Sequence, residues 1–71
     1  MNQERLIATL AVIALKIKKQ GGNRMAQETA AFCAKDLLKE GKSAATAIDQ
    51  GVKAGIKFYK RYKNNQYSIL A

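Results

Sequence analysis

Apolar residues recur every three or four positions in three blocks of this chain, and glycine-containing breaks separate the blocks. That period belongs to amphipathic helices. In the first block, Gln3 to Lys19, Leu6, Leu10, Ile13 and Ile17 fall on one face, with Ile7 and Ala14 beside them. Asn2 is placed to cap this helix, Glu4 and the lysines at 16, 18 and 19 suit its two ends, and Gly21-Gly22 stops it. Val12 and Leu15 lie off the main face, which leaves a polar strip of Arg5, Thr9 and Lys16. A helix so apolar is expected to be central or covered on a second side, and a core position is favoured over a dimer seam.

The second block predicts a helix over 24–40, with Asn23 as its cap and Gly41 as its end. Ala26, Ala30, Cys33, Ala34, Leu37 and Leu38 form its inner face, while Met25 and Phe32 fall among the charged residues outside. An exposed Phe can anchor a partner, but isolated surface apolar residues are common. The third block predicts a helix over 44–63, capped by Ser43. Ala44, Ala47, Ile48, Gly51, Val52, Gly55, Phe58, Tyr59 and Tyr62 share its apolar face and are assigned to the core. Glycine inside a helix costs up to ~1 kcal/mol, so Gly51 and Gly55, following Ala47 at four-residue spacing, call for a close-packed neighbour. That neighbour is expected to be a helix of this chain or of a second copy. The tail, 64–71, ends in Tyr67, Ile69 and Leu70; it is expected to be ordered only in part, either folding back on the bundle or fraying.

Short connections make consecutive helices antiparallel. The fold class expected is therefore all-α: one domain over 1–71, a small three-helix bundle of up-down-up topology. Proline is absent, which agrees with long uninterrupted helices. The apolar run Leu6 to Leu15 is too short to span a membrane, which takes roughly 20 residues, and it has no small-residue cleavage site behind it. With Cys33 as the one cysteine, disulfide stapling is excluded and a reducing cytoplasm is expected.

Charge adds a direction to this picture. The chain carries a formal net charge of +8 and no acid after Asp49. Up-down-up topology would bring Lys16, Lys18, Lys19 and Arg24 to the same pole as Lys57, Lys60, Arg61 and Lys63, with Lys53 a further candidate contact on the same helix face, Glu28 the acid nearby and Asp36, Glu40 and Asp49 at the far pole. Lysines in the last turn of a helix are favoured by its dipole at ~0.3–1 kcal/mol each. That explains a few of the cations but not their number, so a polyanion-binding end is expected.

Catalytic chemistry finds no support. Histidine is absent, no zinc set or nucleophile-base pair can be assembled, and no metal or other cofactor is expected. Gly41-Lys42-Ser43 matches the end of a phosphate-binding loop, but Asp36 stands where that motif needs its first glycine, so helix stop and cap describe these residues better. A helix-turn-helix around Gly41 fails too, since Glu40 and Lys42 occupy positions that motif buries. The segment from Lys57 to Lys63 interleaves aromatics with cations as single-strand binders do. With its aromatics assigned to the core, it is read as a phosphate-binding surface without stacking.

The leading expectation is a small non-enzymatic protein that binds DNA or RNA through phosphate contacts. An alternative is a protein-interaction module, an adaptor or inhibitor that could also form a homodimer, whose charge steers an acidic protein partner. Its candidate contact residues are Val12, Leu15, Met25, Phe32, Gly51 and Gly55. A membrane-surface helical protein ranks last, because tryptophan is absent and the second helix carries acids.

Overall fold

The computed structural model describes residues 3–70, with side chains through Asn64. It contains α1 (Gln3–Lys19), α2 (Arg24–Lys39) and α3 (Ala44–Leu70), joined by two short connections. The Asn2 cap expected for α1 and the packing expected of Tyr67, Ile69 and Leu70 lie outside the described residues.

Both connections have the same construction. Gly21 and Gly41 adopt φ of 80° and 90°, the left-handed region that glycine enters without strain. The amide of Gly22 donates to the carbonyl of Ile17 and that of Gly21 to Lys18, while Lys42 donates to Leu37 and Gly41 to Leu38. These paired bonds satisfy carbonyls that a helix end leaves open. The chain then enters the next helix through a side-chain cap. Asn23 Oδ1 accepts from the amide of Ala26 at 3.0 Å, and Ser43 Oγ accepts from the amide of Thr46 at 3.1 Å. Gly41 and Ser43 thus serve as helix stop and cap.

The seam between α2 and α3 is built from small residues. Ala26, Ala30 and Ala34 of α2 are fully buried, as is Ala47 of α3, and Gly51 and Gly55 continue its row. A Cβ placed on Gly55 would lie 2.5 Å from the carbonyl oxygen of Ala26, and one on Gly51 would lie 2.9 Å from that of Ala30. The helices therefore run antiparallel with backbones too close for any side chain at these two positions. The close neighbour that the glycines require is α2 of the same chain.

Alanine and glycine bury little apolar surface, so larger side chains complete the core. Ile13 and Ile17 are the largest fully buried side chains among the described residues, and both belong to α1. Ile17 fits against the space that Gly55 leaves open, its Cδ1 being 3.2 Å from where a Cβ would stand. At the other end, Leu6 lies beside Leu38 and Lys39, so α1 runs antiparallel to α2 and the topology is up-down-up.

Four local expectations need correction. Thr9, assigned to a polar strip, is buried; its hydroxyl donates to the carbonyl of Arg5 at 2.7 Å, which satisfies the oxygen and lets the rest of the side chain face the core. Ile7, placed beside the core face, is 62% exposed. Glu40 is the cap that follows α2 rather than its last residue. Phe58 and Tyr62, assigned to the core, are 46% and 37% exposed, although Tyr59 between them is half-buried. Their face is the apolar one, but Gly55 already lies opposite Ala26 in the first turn of α2. Beyond that level α2 has only Arg24 and Met25, too little to cover them. α3 itself continues past Lys63 to Leu70, with no proline or glycine to stop it.

Candidate functional site

Because α1 and α3 point the same way, the C-terminal turn of α1 lies beside the middle of α3. A groove of about 750 Å³ opens between them. Ala45, Ile48, Val52 and Ile56 give it an apolar floor, while Lys16 of α1, Gln20 just after that helix, and Lys53, Lys57 and Lys60 of α3 stand around it. The three α3 lysines are spaced four and three residues apart, which puts them in one stripe along the helix. Residues 45 to 60 carry the groove along about 22 Å of α3, at 1.5 Å per residue.

Asp49 also lines the groove, toward its end nearest the start of α3. Its Oδ2 lies 3.2 Å from Lys53 Nζ, in an i,i+4 pair on the helix surface. Lys16, Lys57 and Lys60 have no acidic partner among the described residues. Glu28, the acid expected near the basic pole, pairs with Arg24 at 3.3 Å.

The other expected cations do not line the groove. Lys18 and Lys19 are exposed at the end of α1, and Arg24 at the start of α2 is engaged by Glu28. Arg61 is exposed next to the groove's end. Lys63 lies one turn beyond Tyr59, with Nζ 5.6 Å from the centre of its ring, within cation-π range.

Helix-dipole stabilisation fits Lys16, Lys18 and Lys19, which occupy the last turn of α1. It does not fit Lys53, Lys57 and Lys60. These lie in the interior of a helix that runs on to Leu70 and has no basic residue in its last turn, so no helix end rewards them.

Exposed apolar side chains occur elsewhere. Val12 and Leu15 are on the outer side of α1. Phe32, 68% exposed on α2, has Lys35 Nζ 5.9 Å from its ring centre. Met25 is half-buried. Gly51 and Gly55, considered as partner contacts, are taken up by α2 and offer nothing to a second molecule. Cys33 is half-buried, and no cluster of three or more metal-ligating side chains occurs among the described residues. No described helix is long and apolar enough to cross a membrane.

Sequence reasoning missed Phe58 and Tyr62 as surface residues. The signal that could have found them is length: α2 is too short to accompany α3 as far as Tyr62. Family models, curated proteins and solved structures provide no match to this chain, so its own geometry carries the functional reading.

Proposed function

We propose that the protein is a non-enzymatic nucleic-acid-binding module that holds a phosphate backbone in the groove between α1 and α3. The observation that carries this reading is the stripe of Lys53, Lys57 and Lys60 in the interior of α3, joined by Lys16 from α1. No helix end stabilises the three α3 lysines, and Lys16, Lys57 and Lys60 have no acidic partner among the described residues, so these cations repel one another unless counterions or a polyanion occupy the space. Phosphate contacts of this kind give affinity without sequence preference and make binding fall steeply with salt. The exposed rings of Phe58 and Tyr62 favour a single strand. They lie on the side of α3 that faces α2, away from the groove floor, so a single strand that passes around α3 by way of Lys57 and Arg61 can stack unpaired bases on them. A reducing compartment such as the cytoplasm suits the lone Cys33.

Fluorescence anisotropy with labelled single-stranded DNA, duplex DNA and single-stranded RNA tests the reading at low and moderate salt. Replacing Lys16, Lys57 and Lys60 together by Gln is expected to weaken binding at least ~30-fold, at roughly 0.7–1 kcal/mol for each lost contact. Phe58→Ala is expected to weaken single-strand binding ~5- to 10-fold and leave duplex binding unchanged. Absence of binding at low salt, or binding indifferent to the triple substitution, sinks the reading. Capture of an acidic protein with no affinity for nucleic acid would assign the groove to that partner instead.

A further inference from the structure

The outer side of α1 is exposed and packs against no other described helix. From Leu6 to Leu15 the helix carries no charged residue, and Ile7, Ala8, Ala11, Val12 and Leu15 are all exposed, Ile7 and Leu15 at 62% each. An apolar helix face of three turns is ordinarily covered. Glu4, Ile7, Ala11, Leu15 and Lys18 follow one another at intervals of three, four, four and three residues, so they fall within an arc of about 80°. This stripe is negative at its N-terminal end, positive at its C-terminal end and small at its centre.

From this we infer that α1 packs antiparallel against α1 of a second copy of the chain, forming a two-fold symmetric homodimer. Antiparallel pairing about Ala11 sets Ile7 against Leu15 of the second copy and Glu4 against Lys18, each twice by symmetry. The small Ala11 at the two-fold axis lets the helices approach closely. Parallel pairing would instead set Lys18 against Lys18 and Glu4 against Glu4, which charge opposes. Among the described residues neither Glu4 nor Lys18 has an ion-pair partner within its own chain, so both are available for this contact. Lys16 lies about 140° around the helix from the centre of the stripe. The groove therefore stays open, and the dimer presents two of them. This interface does not depend on what the grooves bind.

A contact confined to one helix from each copy is small compared with stable interfaces of about 1,200–2,000 Å². The dissociation constant is accordingly expected in the range of about 10–100 μM. Sedimentation equilibrium from about 10 μM to 1 mM, with circular dichroism to confirm helix content, tests the proposal on the whole chain. The wild type is expected to shift from monomer to dimer, whereas Ala11→Glu, on an exposed position that tolerates a good helix former, is expected to stay monomeric with an unchanged spectrum. Glu4→Lys and Lys18→Glu should each weaken self-association about 5- to 10-fold, because each change introduces two like-charge contacts. An equimolar mixture of these two variants should associate more tightly than either alone, since all four charges are then complementary.

A wild type that remains monomeric at 1 mM overturns the proposal, as does a dimer indifferent to Ala11→Glu. A mixture no tighter than its components overturns the antiparallel register. A monomer that partitions onto anionic phospholipid vesicles and loses that affinity on Leu15→Lys assigns the face to a membrane and also overturns it. None of these outcomes bears on nucleic-acid binding, which is read separately by anisotropy.

Discussion

The two halves of α3 carry the same apolar period and meet different surroundings. From Ala44 to Gly55 the helix lies against α2 so closely that two positions exclude a side chain, whereas from Ile56 onward the same face runs beyond the start of α2. In the first half the sequence rule holds residue by residue. In the second half, Phe58 and Tyr62 obey the spacing and still remain substantially exposed. Periodicity states which side of a helix is apolar; how far that side is covered depends on the length of the partner helix. The first half is covered by α2 throughout, whereas in the second half Ile56 and Tyr59 still pack on the core while Phe58 and Tyr62 stay exposed.

The sharpest contrast comes from substitution along this face. Gly55→Leu is expected to leave no stable fold, because its Cβ would stand 2.5 Å from the carbonyl oxygen of Ala26, a backbone atom that can move only with the whole seam. Ile17→Ala should cost about 2–4 kcal/mol by urea denaturation, since it empties one of the two large fully buried positions. Gly51→Ala, at 2.9 Å from Ala30 oxygen, should cost about 1–2 kcal/mol, the overpacking outweighing the helix-propensity gain of up to ~1 kcal/mol. Phe58→Ala should cost less than ~1 kcal/mol, far below the usual range of about 3–5 kcal/mol for a core Phe. If Phe58→Ala proved as costly as Ile17→Ala, the two halves of α3 would not differ as described. For a domain of this size each 1 kcal/mol corresponds to about 4–8 °C in melting temperature, so the series can also be read by thermal denaturation.

Much of the fold was legible because local signals agreed with one another. Gly21 and Gly41 marked helix ends that prove to be left-handed stops, Asn23 and Ser43 marked starts that prove to be capped, and the Ala47-Gly51-Gly55 row announced a close neighbour that proves to be α2. Thr9 was misjudged because a threonine in a helix can return its hydroxyl to the preceding turn and leave the rest of its side chain apolar. The site was legible only in part. Charge placed the cations on α1 and α3, but only the packing shows that Lys16 joins Lys53, Lys57 and Lys60 while Lys18, Lys19 and Arg24 stand apart. That Asp49 borders the same groove also follows from packing. The groove extends back along α3 as far as Ala45 and takes that acid in.

That lysines from two helices act on one phosphate chain is tested most directly by the salt dependence of single-strand binding. The logarithm of the binding constant should fall linearly with the logarithm of salt concentration, with a slope of about −0.7 per neutralised phosphate for a single strand. Lys16→Gln on α1 and Lys60→Gln on α3 should each make the slope shallower by about 0.7, and together by about 1.4, while Lys39→Gln on α2 should leave it unchanged. A slope that responds to Lys60 but not to Lys16, or to all three lysines alike, would contradict the convergence of α1 and α3 on a single binding groove.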